Sequence, residues 1–299
     1  MTVDYVKILE DHRINLYPEF LEKPKDAYDD AYFADIKNKN TLIITAGDSW
    51  TWGGSLDPDK RLDQVYGRLL SSHIDADWIN IGCSGWSNSW ILSNLDRLLE
   101  KIEFDLYNKI LIIVTLTEAG RDIASYSSFK YDYRTRFEVD GVHENTYEKV
   151  LSDAESQWAE QLEKISEKIK KNTNILVGFN FVWFDHLYLH FLNHKKIRLL
   201  DKSWIEKLAE YQNISMPHRA KVVVGFTLDQ HLPKINEIAG IHDLTEFKKW
   251  HLKYVDLALK INDWYDKSPI NAKSGTRHPI AEGHRVWADY ILENLKGNS

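Results

Sequence analysis

Thiols are nearly missing from this chain: Cys83 stands alone among 299 residues. A disulfide within the chain and a multi-cysteine metal site are therefore excluded. Long apolar runs are missing too, and no stretch reaches the length of a membrane-spanning helix. No G-x-G-x-x-G and no G-K-S/T run follows an apolar stretch, so neither familiar phosphate cradle is present. Lys and Arg are dispersed and the net charge is −7, which argues against a nucleic-acid surface. Residues Met1 to Glu10 lack a basic start followed by an apolar segment. A signal peptide is not expected on that ground, and a cytoplasmic location is. Nothing in the composition calls for a cofactor or sets an oligomeric state.

What is there suits a large folded domain. Apolar residues make up 43% of the chain, and 11 Trp and 15 Tyr supply bulky core material. Residues 1–40 are polar and mixed and carry Pro18 and Pro24. They read as an extension laid over a main domain of residues 41–296. From Leu42 the pattern alternates. Short apolar runs at Leu42–Thr45, Trp78–Ile81, Ile110–Leu116 and Asn174–Phe181 predict buried strands, with Val222–Phe226 a further candidate. Helical patterns lie between them, at Leu62 to Leu70, Trp90 to Leu99 and Tyr147 to Lys171. In the last, Leu151, Ala154, Trp158, Leu162, Ile165 and Ile169 recur at steps of three and four. A final helix is expected over Ala281 to Leu295. Strand and helix in turn imply an α/β fold, a parallel sheet with helices on both faces. Two stretches interrupt the alternation. Residues 119–146 form a long, aromatic-rich loop that is either a lid or a surface flap. Residues 182–250 read as an insertion with more helix than strand.

The stretch Gly47-Asp48-Ser49-Trp50-Thr51-Trp52-Gly53 follows the first predicted strand. Gly, Asp and Ser are ordinary in a strand-to-helix turn. Yet a serine placed there is also rigid, reachable and close to free backbone N–H groups, as a nucleophile must be. Serine needs a base, and histidine is the side chain that titrates nearest neutrality. His278 precedes Pro279 on a loop ahead of the last helix, at the opposite end of the chain. Asn80-Ile-Gly-Cys-Ser-Gly85 follows the second strand, and Thr115-Leu-Thr-Glu118 ends the third. A bare glycine N–H and a hydroxyl there could receive a developing oxyanion.

These motifs resemble those of the SGNH (GDSL) hydrolase superfamily. Gly47 to Gly53 fits the family's first block, GDSxTxG, in full. Asn80 to Gly85 is similar to the second block, and His278-Pro279 with Gly283-His284 is similar to the last. The resemblance spans residues 41–296 and implies a three-layer, flavodoxin-like parallel sheet with insertions. It implies Ser49 as nucleophile, His278 as base, and an oxyanion hole of the Ser49 and Gly85 N–H groups. Two positions depart from the family pattern. Thr117 stands where the family has an oxyanion-hole Asn. Gly275 stands where it has the Asp that orients the base, so Asp266, Glu282 or a backbone carbonyl would have to serve.

The activity implied is hydrolysis of a carboxylic ester without metal or cofactor. Trp50, Trp52, Trp86 and Trp90 crowd the first two blocks; they could stack on a sugar, which points to a glycan O-acetyl ester, or could be core packing. The alternative is a catalytically weak relative that binds a glycan or a protein through the same cleft. His186, His190 and His194, at steps of four, could share a helix face and a metal, but read better as structural histidines.

Overall fold

A computed structural model describes residues 33–54, 56–84, 86–117, 144–169, 173–180, 184–211, 213 and 278–296. Six strands build one sheet. They are β1 (Phe33–Asp35), β2 (Thr41–Gly47), β3 (Asp77–Asn80), β4 (Lys109–Leu116), β5 (Thr173–Phe179) and β6 (Ile197–Leu199), in the order β1-β3-β2-β4-β5-β6. Strands β2 to β6 are parallel, and β1 adds antiparallel to β3. The helices are α1 (Ser49–Trp52), α2 (Arg61–Gln64), α3 (Tyr66–Ile74), α4 (Asn88–Leu99), α5 (Glu144–Lys168), α6 (Asp185–Phe191), α7 (Trp204–Tyr211) and α8 (Ala281–Lys296).

The four main apolar runs become β2 to β5. Their side chains are buried on both faces: Leu42, Ile43, Ile44, Ile112, Ile113, Val114, Ile175 and Val177 are all shielded from solvent. Each such side chain contributes about 1.5–3 kcal/mol on burial, so the sheet centre dominates the core. Within the 182–250 stretch, Ile197–Leu199 adds to the sheet beside β5, and α6 and α7 flank it. The helix expected over 62–70 is broken. Val65 adopts φ −68° and ψ 144°, between α2 and α3. The N–H of Tyr66 leaves the helical ladder there and donates to His284 Nδ1 at 3.3 Å. Val222–Phe226 and most of the 119–146 loop lie outside the described residues, as do residues 1–32.

Strand order fixes the layers. The path steps from β2 to β3, back across β2 to β4, then onward to β5 and β6. Right-handed crossovers put α3 on one face and α4, α5 and α6 on the other. The packing agrees: α4 lies on α5 and α5 on α6, while α8 lies on α3 and α7. The reversal at β2 and β4 is a topological switch point, which opens a crevice at the carboxyl ends of those strands.

The last helix docks through one large side chain. Trp287 is fully buried, and a Cβ built at Gly178 of β5 would lie 2.6 Å from its Cζ2. Only a glycine there admits the indole. Trp287 stacks on Trp204 with centroids 5.2 Å apart, and Trp204 Nε1 donates to the Gly283 carbonyl at 3.1 Å. These contacts fix the amino end of α8 and the loop that carries His278.

Candidate active site

Ser49 opens α1 immediately beyond β2. Its N–H, at the first helical position, has no intrahelical acceptor. Asp48 caps the helix by accepting the Trp50 N–H at 2.9 Å. The single turn closes at Gly53, whose φ of +86° belongs to the left-handed region that glycine favours. Gly47 is needed for a different reason: a Cβ there would sit 2.0 Å from Thr51 Oγ1.

Against this turn lies His278. Its Nε2 is 2.6 Å from Ser49 Oγ, although 229 positions separate the two residues. Ser49 is only 3% exposed and His278 is half-buried. Gly54 forms the wall beside the imidazole. A Cβ there would stand 3.1 Å from His278 Cδ2 and 3.3 Å from the Ser49 carbonyl oxygen. The Gly54 N–H donates to that same carbonyl at 2.8 Å.

Buried polar residues tie the strand ends together beneath the pair. Asn180, past β5, donates from Nδ2 to Asp48 at 2.7 Å. Asn80, ending β3, accepts the Gly82 N–H at 3.0 Å and a bond from Thr45 Oγ1 at 3.1 Å. Asn88, at the start of α4, holds Thr117 by both backbone groups: its Oδ1 accepts the Thr117 N–H at 2.7 Å and its Nδ2 donates to the Thr117 carbonyl at 2.9 Å. Asn88 and Thr117 are both fully buried. The end of β4 is thereby locked to the start of α4. Tyr66 adds a hydroxyl 3.1 Å from Thr115 Oγ1, and burial pushes its pKa up to about 12, so it keeps its proton. His284, stacked on Tyr66, is pushed down to about 3, first by burial and then by the nearby His278. It is a neutral acceptor for the Tyr66 N–H.

Several expected roles are redistributed. Trp50 is 1% exposed and meets Trp204 edge-on, so its ring is core and does not face a substrate. Trp86 is also buried, at 7%. Trp52 is half-buried, with the Arg61 guanidinium 4.1 Å above its ring. Glu282 does not orient His278: its carboxylate pairs with Arg285 and accepts from Tyr211, which holds it below the usual carboxylate range. The backbone N–H of Thr117 is taken by Asn88 and is not available as an oxyanion donor. Gly85 and Asp266 lie outside the described residues.

The three spaced histidines each have a separate partner. His186 Nε2 meets Ser156 Oγ, His190 Nε2 meets Glu163, and His194 Nδ1 accepts two backbone N–H groups. Among the described residues no cluster of His, Cys, Asp and Glu could hold a metal. Nor is any described helix long and apolar enough to cross a membrane. Sequence reasoning missed Asn88, Asn180 and the Tyr66–His284 contact, all of which join residues far apart in the chain.

Fold and site together define a flavodoxin-like α/β sheet with a serine–histidine pair at its switch point. No family model matches the chain, and no curated protein matches it. Solved structures similar to it include the lipase Lip_vut3 from a goat rumen metagenome, 15% identical over 85% of this chain and 97% of that one, with a TM-score of 0.43. A member of the lipolytic protein G-D-S-L family from Veillonella parvula is 15% identical over 85% and 97%, with a TM-score of 0.36. AlinE4, an SGNH-hydrolase family esterase, is 19% identical over 67% and 96%, with a TM-score of 0.38.

Proposed function

We propose that this chain is a serine esterase of the SGNH type that hydrolyses a carboxylic ester. One observation carries the reading: the 2.6 Å approach of His278 Nε2 to Ser49 Oγ in the switch-point crevice. That is the hydrogen-bond reach a general base needs. In the reaction Ser49 Oγ attacks the ester carbonyl carbon while His278 takes the hydroxyl proton. The carbonyl oxygen becomes an oxyanion, received by the N–H groups of Ser49 and Gly85 and by the Thr117 hydroxyl. Collapse breaks the bond to the alcohol, which leaves with the proton from His278. Water, deprotonated by His278, then attacks the acyl-enzyme and frees the acid and Ser49.

Burial of Trp50 and Trp86 removes two of the surfaces that favoured a glycan ester, so the proposal is for a carboxylic ester. Hydrolysis of p-nitrophenyl esters from acetyl to octanoyl, and of O-acetylated xylan, tests the reading. Turnover by the wild type and none by Ser49→Ala is the expected result. Equal background in both proteins overturns it and leaves the binding-protein alternative.

A further inference from the structure

Ser49 and His278 come from opposite ends of the chain, so their 2.6 Å approach depends on how the elements that carry them are spaced. A third element touches both. It is the amino end of α7, in the 182–250 stretch, outside every motif that pointed to the site.

Local sequence fixes where α7 begins. Ser203-Trp204-Ile205-Glu206 forms a capping box: Ser203 Oγ accepts the Glu206 N–H at 3.3 Å, and the Glu206 carboxylate accepts the Ser203 N–H at 2.7 Å. Trp204 is thereby held at the first helical position, and Trp204, Ile205, Leu208 and Ala209 make the buried face. Two links run from this end to the residues on either side of Ser49. The Ile205 N–H donates to the Asn180 carbonyl at 3.0 Å, and Asn180 Nδ2 donates to Asp48 at 2.7 Å. The Trp204 ring meets Trp50 edge-on, with centroids 5.2 Å apart. Three links run to the helix that follows His278. Trp204 Nε1 donates to the Gly283 carbonyl at 3.1 Å, the ring meets His284 edge-on at 5.1 Å, and it stacks on Trp287 at 5.2 Å. Trp204, Asp48, Asn180, His284 and Trp287 are all fully buried. A core packed this closely passes a displacement on to its neighbours. One indole therefore stands as a spacer between the turn of the nucleophile and the helix behind the base.

We propose, resting on the esterase reading, that Trp204 is a positioning residue for the Ser49–His278 pair. Its indole sets the gap between α1 and α8 that brings His278 Nε2 within reach of Ser49 Oγ. Buried as it is, Trp204 acts through that spacing and not through the substrate. A misplacement of about 1 Å at a reacting pair can cost about 10²-fold in rate.

A double-mutant cycle on fluorophosphonate labelling of the full chain tests it. Trp204→Phe thins the spacer and removes the donor to Gly283. It should slow labelling of Ser49 at least about 10-fold when His278 is present, and less than about 2-fold in the His278→Ala background, where no base is left to misplace. General damage to the site would slow both backgrounds alike. Trp287→Phe loosens the same stack from the α8 side and should show the same coupling, which carries the test if Trp204→Phe does not fold. Circular dichroism at the assay temperature identifies the folded variants. Equal slowing in both backgrounds, or wild-type rates in the folded Phe variants, overturns the proposal and leaves Ser49 and His278 in their roles. A wild-type chain that resists the label, or that His278→Ala matches in rate, overturns the esterase reading and this proposal with it.

Discussion

Acid should destabilise this protein through His284, and the size of the effect can be worked out. The side chain is fully buried between Tyr66 and Trp204, and its pKa is pushed down from 6.5 to about 3. Between those values the unfolded chain binds a proton that the folded chain excludes. Stability is therefore complete above about pH 6.5 and falls as the solution is acidified toward pH 3. At about 1.4 kcal/mol per pKa unit the whole shift is worth roughly 5 kcal/mol, of which roughly 1.5–2 kcal/mol is lost between pH 6.5 and 5. His284→Asn keeps an oxygen able to accept the Tyr66 N–H and does not titrate. It should be less stable than wild type at pH 7, because it loses the stack on Tyr66, but it should lose less on acidification. Urea denaturation at pH 7, 6 and 5, extrapolated linearly, gives both curves. The two proteins should converge by roughly 1.5–2 kcal/mol between pH 6.5 and 5. Parallel curves would refute the assignment of a buried neutral imidazole.

Two further outcomes follow from the walls of the site. Asn88→Ala strands the buried N–H and carbonyl of Thr117, at about 1–3 kcal/mol each, so denaturation should report a loss of roughly 2–5 kcal/mol. Any activity remaining in the folded fraction should fall in kcat more than it changes in KM. Gly54→Val places a branched side chain where a Cβ already stands 3.1 Å from the His278 ring. Ester turnover should drop at least 10-fold while the circular dichroism spectrum is unchanged; wild-type turnover would show that the ring has room to move.

The sheet was legible because buried parallel strands leave continuous apolar runs, and β2 to β5 stand where those runs do. The pair of Ser49 and His278 was legible because each sits in a short local motif. Other features leave no such trace. Strands β1 and β6 are three residues each, too short for any period to register. The break at Val65 depends on a hydrogen bond from Tyr66 to a histidine 218 positions away. Asn88 looks like any polar residue at a helix start, and its hold on Thr117 exists only after β4 and α4 meet. The tryptophans stay ambiguous in sequence for a related reason: an indole beside a nucleophile looks the same whether it faces the cleft or, as with Trp50, a neighbouring Trp204.

The most direct measurement is the rate at which a fluorophosphonate probe labels the chain, with the modified residue located by peptide mapping. Labelling at Ser49 alone is predicted, absent in Ser49→Ala and slowed about 10²–10⁴-fold in His278→Ala, the range general-base catalysis supplies. A label on another residue, or a His278→Ala rate equal to wild type, would contradict the pairing of these two side chains as nucleophile and base.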